Sequence, residues 1–182
     1  MTRRATPELP AGRLVLRAFT LADAPDFHAA YGDAASMRHW NHAPSPNVAR
    51  TERYLANWMK PAPDGWMVWA VALRETGRCI GMVNFHGRDV ASRRAEIGYI
   101  LTPDASGQGH AQEAVGAMIA HMQAALNVHR IEAQIEPENR RSCALVERLG
   151  FTLEAPLMRD RWKIGGEFRS VSLYALVGGR PK

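Results

Sequence analysis

Cysteine is scarce in this chain: Cys79 and Cys143 are the only two in 182 residues. They are far apart, which excludes a disulfide framework and any CxxC zinc or redox motif. No apolar run approaches the ~20 residues needed to cross a bilayer. Met1 to Glu8 include Arg3 and Arg4 but no apolar stretch behind them, so no signal peptide is expected. Long basic runs are missing as well. The densest clusters are pairs, Arg93-Arg94 and Arg140-Arg141, which excludes a polybasic arm. There is no internal repeat and no low-complexity segment. The expectation is a soluble, cytoplasmic protein with no membrane contact.

What is there is ordinary globular material. Hydrophobic residues make up 46% and charged residues 23%, which argues against a disordered chain. A chain of this length buries roughly 70% of its extended surface, enough for one core without staples. Residues 1–12 read as a tail and 13–182 as a single domain. The net charge of +5 and a pI near 9.7 favour anionic partners. Both nucleic acid and a phosphate-bearing cofactor fit that balance. No RNA or DNA module is recognisable, so direct nucleic-acid contact is not expected.

Periodicity gives a mixed α/β order. Leu14, Leu16 and Ala18 alternate with Arg13, Val15 and Arg17 as a first strand. Thr20 or Asp23 can cap a helix reaching Tyr31. Trp40 to Asp64, with Pro44, Pro46, Pro61 and Pro63, reads as two loops around a helix from Val48 to Met59. Met67–Leu73 and Arg78–Phe85 form a hairpin through Glu75-Thr76-Gly77. Arg94–Leu101 is the next strand. Ala111, Val115, Met118, Ile119, Met122 and Leu126 mark one face of a long helix. Arg130–Glu136 alternates again. Asn139 is a suitable N-cap for a short helix closed by Gly150. Met158–Ile164 and Phe168–Leu176 flank Gly165-Gly166, a hairpin signal. Hairpin-linked strands followed by a βαβ step imply a mixed sheet with helices on its faces.

Two segments invite chemistry. Around Ser106-Gly107-Gln108-Gly109 a strand ends and a long helix begins. Glycines allow close backbone approach, and a helix N-terminus offers unpaired N–H groups suited to a pyrophosphate. No Gly-Lys-Ser/Thr follows, so this is not a P-loop, and the third glycine of a dinucleotide fingerprint is missing. The second segment runs from Asn139 through Ser142 to Leu149-Gly150-Phe151. Alone it is a capped amphipathic helix.

Together, and in this order, the two segments resemble the GNAT-type N-acetyltransferases. Ser106-Gly107-Gln108-Gly109-His110-Ala111 is similar to that family's acetyl-CoA pyrophosphate motif. The Asn139, Ser142 and Leu149-Gly150-Phe151 set is similar to its later motif. Met37-Arg38-His39-Trp40, Ala95-Glu96-Ile97-Gly98-Tyr99 and Gln112-Glu113-Ala114 resemble the RimJ/RimL-like branch, which acetylates ribosomal-protein N-termini. The similarity extends from Arg13 to about Leu176. Two positions depart from the pattern. Ser106 stands where Gln or Arg is frequent, and Val146 where many relatives carry a Tyr proposed as general acid.

The resemblance implies an α/β (α+β) fold: a mixed, mostly antiparallel twisted sheet of about seven strands with helices on both faces. It implies acetyl-CoA as cosubstrate, with the pantetheine arm pairing in a gap between two strands. The arm would lie against Ile100, Leu101 and Thr102, and the diphosphate against Gly107, Gln108, Gly109, His110 and Ala111. Asn139 and Ser142 would stand near the thioester. The acceptor is an amine, either a small molecule (amino acid, polyamine or antibiotic) or a protein N-terminus such as that of a ribosomal protein. A non-catalytic acetyl-CoA-binding protein is the alternative reading.

A protonated amine has no lone pair, so a base is needed. Glu96 is the candidate, as strand alternation places it beside the cleft; otherwise it pairs with Arg93 or Arg94. Ser142 is the candidate proton donor to the thiolate, and Cys143 beside it reads as a packed residue. Trp40, Trp58, Trp66 and Trp69 are candidate pocket residues, Trp40 foremost. His39 and His42 are three apart, but zinc needs at least three protein ligands, so no metal is expected. Monomer and homodimer both remain open.

Overall fold

The computed structural model describes residues 5–60 and 65–178. Met1 to Arg4, Pro61 and Pro63 lie outside the described residues.

The chain forms β1 (Leu9–Ala11), β2 (Leu14–Arg17), α1 (Ala24–Tyr31), α2 (Val48–Trp58), β3 (Met67–Leu73), β4 (Cys79–Asp89) and β5 (Arg94–Leu101). It continues with α3 (His110–Ala124), β6 (Arg130–Ile135), α4 (Arg140–Arg148), β7 (Thr152–Ile164) and β8 (Glu167–Val177). These strands make one eight-stranded sheet in the order β1-β2-β3-β4-β5-β6-β8-β7. Every neighbouring pair is antiparallel except β5–β6.

The expected mixed, mostly antiparallel sheet is there, with eight strands. One of them comes from the segment read as a tail, because Leu9–Ala11 pairs with Leu14–Leu16. Pro10 hides this strand in the sequence, but proline is tolerated at an edge. Trp69 Nε1 donates to the Pro7 carbonyl at 2.8 Å and ties the same segment down. The last hairpin is also longer than expected, with β7 starting at Thr152.

Side-chain alternation divides the core in two. On β3, Met67, Trp69 and Val71 enter the cluster that α3 covers, together with Cys143, Leu145 and Val146 of α4. Val68 and Ala70 face the other way and pack with Phe27, Tyr31 and Leu55 of α1 and α2. Helices therefore lie on both faces. Of the expected apolar face of α3, Val115, Met118, Ile119 and Met122 are buried and Ala111 is partly so; Leu126 is buried just past the helix end, and Ala114 joins the buried side.

A bulge shapes the site end of the sheet. Val71 pairs with Gly81 and Ala72 with Cys79, so Ile80 is left over. Gly81 sits at φ 154°. A Cβ there would collide with the Ile100 carbonyl oxygen and stand 2.8 Å from Leu101 Cα. Only glycine lets β4 approach the end of β5 this closely. Overpacking of this kind costs about 1–3 kcal/mol. Gly81→Ala is expected to lower the melting temperature by roughly 3–10 °C, as read by thermal denaturation.

Candidate active site

The parallel pairing of β5 with β6 covers three residues: Arg94 with Arg130, Ala95 with Ile131, Glu96 with Glu132. Beyond Glu96 the two strands part. β5 continues beside β4 as far as Leu101, and β6 beside β8 as far as Ile135. The facing backbone edges of 97–101 and 133–135 are left without strand partners. An open cleft of about 1370 Å³ occupies this gap.

The cleft floor follows from the alternation. On β6, Ile131, Ala133 and Ile135 enter the α3 side of the core. Glu132, Gln134 and, just past the strand, Glu136 therefore face the α1–α2 side. On β5, Ile100 packs on that side, so Gly98 and Glu96 share its face. On β4, Met82 does the same and takes Asn84 and His86 with it. A polar stripe is thereby laid across three strands. The segment between α1 and α2, with His39 and Trp40, also lines the cleft.

Glu96 accepts a hydrogen bond from Gln134 Nε2 at 2.8 Å, and His86 Nε2 is 3.5 Å from its other oxygen. The alternative pairing with Arg93 or Arg94 does not form. Arg94 binds Glu132 at 2.8 Å, and Arg93 donates to the Asn127 carbonyl at 2.9 Å. Asn84 Oδ1 and Gln134 Oε1 are buried without a partner among the described residues. Buried acceptors are normally satisfied, so two orphans beside one gap suit a ligand carrying N–H groups. A Cβ on Gly98 would stand 2.5 Å from Asn84 Oδ1, so glycine makes room for that amide.

At the far end of β5 the loop reaches α3. Gly107 and Gly109 have φ 79° and 83°, the left-handed region that glycine adopts without strain. Nothing lies within 4 Å of a Cβ on Gly107, so the loop stands open. The N–H groups of His110 and Ala111 begin α3 and find no acceptor among the described residues. That is the donor set and dipole end that favour an anion.

At α4, Asn139 Oδ1 accepts from the Ser142 N–H at 3.3 Å and caps the helix. Its NH2 group has no partner among the described residues, and Asn139 lines the cleft. The Tyr99 hydroxyl donates to the Ser142 carbonyl at 3.4 Å. Burial raises the Tyr99 phenol to about 12.

A GNAT acetyltransferase domain model matches residues 13–152. The chain belongs to the GNAT acetyltransferase family. It is 32% identical over 166 residues to the uncharacterized N-acetyltransferase p20 of Bacillus licheniformis, covering 91% of this chain and 93% of that one. It is 38% identical over 99 residues to the [ribosomal protein uS5]-alanine N-acetyltransferase of Escherichia coli, about half of each chain (54% and 50%). Its fold is similar to that of a GNAT-family acetyltransferase from Bacillus anthracis, with a TM-score of 0.84, 23% identity, and 94% and 98% of the two chains covered. The protein is thus an acetyl-CoA-dependent N-acetyltransferase, and the cleft is the place in its GNAT fold to look for the chemistry.

Of the residues singled out in the sequence, Glu96, Ile100, Leu101, Gly107, Gly109, His110, Ala111, Asn139, Ser142 and Trp40 line the cleft. Thr102 and Gln108 do not. Thr102 is fully buried and its N–H donates to the Ile80 carbonyl. The Gln108 side chain bonds the Asp104 carbonyl at 2.7 Å. Trp58 and Trp66 line the cleft beside Trp40, whereas Trp69 lies in the core on the opposite face. Val146 is fully buried, so a Tyr in its place would need the core to rearrange. His39 and His42 have separate partners: Glu136 for the first, Tyr31 for the second.

Sequence reasoning passed over Arg13 and the role of Glu113. The Arg13 guanidinium donates to Glu113 at 2.6 Å and to the Gln108 carbonyl at 2.6 Å, and its backbone N–H donates to Glu113 at 2.9 Å. This staple holds the β1–β2 turn against the loop that starts α3. Burial works against ionisation of Glu113, but the Arg13 hydrogen bonds outweigh it and hold the carboxyl below its usual range. The pair is partly exposed, and such pairs are worth about 0.2–1 kcal/mol globally. Glu113→Ala is therefore expected to shift the melting temperature by less than about 4 °C. Amide exchange in Ser106–Ala111 should nonetheless quicken several-fold. Unchanged exchange there would show that the staple does not hold the loop.

Proposed function

We propose that this GNAT enzyme acetylates the α-amine of a protein N-terminus, in the manner of the RimJ/RimL-like branch it resembles. The observation that carries this reading is the splayed β5–β6 gap with a polar, acid-bearing floor open on the α1–α2 side. Such an opening admits a chain end, and Glu96 on its floor suits a cationic amine, while Asp33 and Glu138 share the walls with Arg38, Arg140, Arg141 and Arg148. The likeness to the uS5-alanine enzyme supports the same choice.

In this reading the pantetheine arm runs along Ile100 and Leu101, using the backbone groups that β6 leaves free, and stops short of Thr102, whose N–H and carbonyl are already bonded to Ile80 and Ala105. The diphosphate rests on the N–H groups of Gly107 to Ala111, with Gln108 contributing main chain only. The Asn139 amide and the Ser142 hydroxyl flank the thioester. The amine nitrogen attacks the thioester carbon directly, forming C–N and breaking C–S. Glu96 accepts a proton from that nitrogen. A backbone N–H of β5 steadies the oxyanion. Ser142 passes a proton to the departing thiolate, whose thiol ordinarily titrates near 8.5. No covalent enzyme intermediate is required.

The cofactor part is tested by thermal shift. At about 100 times its dissociation constant, acetyl-CoA should stabilise by about 2.7 kcal/mol, a shift of roughly 5–10 °C. ATP and free pantetheine should do little. Gly109→Val forces a branched residue into the left-handed region, which costs about 1–2 kcal/mol. It should weaken acetyl-CoA binding by roughly tenfold. The acceptor part is tested by CoA release with a short peptide beginning in alanine, against free alanine and spermidine. Release with the peptide alone supports the proposal. Release with spermidine and not the peptide would place the enzyme among polyamine acetyltransferases instead.

A further inference from the structure

We propose that His39, oriented by Glu136, is a second proton acceptor of the reaction, taking the proton of the incoming ammonium. The inference rests on the chemistry of amine acetylation, not on which amine is the acceptor.

Acetylation strips two protons from one nitrogen. The ammonium must lose the first before its lone pair exists. The second leaves as the tetrahedral adduct collapses to the amide. One ends in solvent by way of a base, and the other is balanced by protonation of the thiolate. Glu96 accounts for one transfer only, so a second acceptor has a defined task.

His39 has the geometry for it. Its Nδ1 lies 2.7 Å from Glu136 Oε2. A carboxylate oxygen accepts and does not donate, so Nδ1 carries the hydrogen and Nε2 carries the lone pair. No partner for Nε2 is found among the described residues, and the ring lines the cleft. The Glu136 side chain is only 6% exposed, so the ring is held from a buried anchor. This is the orienter–imidazole arrangement of general-base catalysis.

The placement also fits. Glu136 follows β6 on the same face as Gln134, which binds Glu96. Glu132 pairs with Glu96 across the sheet, and four residues of strand rise about 13 Å from there to Glu136. The imidazole therefore belongs to the outer, α1–α2 side of the gap, where the amine arrives, and Glu96 to its base. A second cavity of about 400 Å³ adjoins His39 and Glu136 on the β7–β8 side. Arg38, Glu138, Glu167 and Arg169 are the charged groups that face the pair there, with Arg169 NH1 3.5 Å from Glu136 Oε1. Glu136 is thus a positioning residue and His39 the group that meets the acceptor.

The test has two parts. The first is the tautomer of His39, read by ¹⁵N NMR on the acetyl-CoA-bound enzyme without acceptor. The Nδ1–H form is expected in the wild type and should be lost in Glu136→Leu, which removes the acceptor; an Nε2–H form in the wild type would overturn the proposal, whichever amine is the acceptor. The second is the pH–rate profile, with the amine of the peptide, alanine and spermidine set that the wild type acetylates fastest. His39→Gln should lower kcat/KM by about 10²-fold or more at pH 7. The deficit should shrink as pH rises past the amine's own pKa, where the first proton is already gone. Glu96→Gln should show a deficit that persists at high pH. Glu136→Leu should share the His39→Gln profile with a smaller loss. Acetyl-CoA thermal shifts equal to the wild type's would exclude misfolding. A His39→Gln loss that is uniform across pH, or no loss, would overturn the assignment.

Discussion

The break in pairing between β5 and β6 after Glu96 and Glu132 is the constraint on which the rest of the site depends. Backbone N–H and C=O groups are obligatory hydrogen-bonding groups, and leaving them unpaired in a closed core costs about 1–3 kcal/mol each. Here they face an open cleft, where water or a ligand amide can satisfy them. The gap cannot simply close. β5 is committed to β4 without interruption from Glu96 to Leu101, and β6 to β8 over six residue pairs. Each strand is held from its outer side, so the inner edges stay apart. Below the gap, Arg94 and Arg130 clasp Glu132 and fix where the parting begins. Burial disfavours the charged Glu132, but these two guanidinium groups hold its carboxyl below the usual range.

The two-residue period of the strands then sorts the chemistry. One face of β3 to β6 is apolar and meets α3 and α4. The other is apolar only where α1 and α2 cover it. Past that cover, Asn84, His86, Glu96, Gln134 and Glu136 take the same positions, and the floor becomes polar. The core and the site are therefore two parts of one sheet, separated by how far two helices reach. The loop before α3 closes one end of the cleft, and Arg13 holds it from the β1–β2 turn, 95 residues away in sequence.

Periodicity carried most of the fold. The α3 stripe, the β3–β4 hairpin, the Asn139 cap and the Gly165-Gly166 turn are local signals, and each lies where the structure has it. The features that escaped are those that local pattern cannot encode. Pro10 masks a three-residue edge strand, because proline argues against a strand until a neighbour shows that it lies at an edge. Strand alternation places Glu96 beside the cleft, but its neighbours there, Asn84, His86 and Gln134, carry no local signal. The bonds of Glu96 to Gln134, of Arg13 to Glu113 and of His39 to Glu136 span 38, 100 and 97 residues, and only the sheet order brings them together. Gln108 lies inside the Ser106–Ala111 motif and Thr102 at the end of the strand before it, yet their side chains turn to backbone and core. A motif fixes which segment meets a ligand, and packing decides which atoms do.

The most direct measurement of the central claim is amide hydrogen exchange with and without saturating acetyl-CoA, resolved along β5 and β6. New protection is expected at Ile97–Leu101 and at the loop from Gly107 to Ala111, with β3 and the β7–β8 hairpin unchanged. Protection spread evenly over the chain, or confined to segments outside the β5–β6 gap, would contradict the claim that the parted strands are the cofactor's seat.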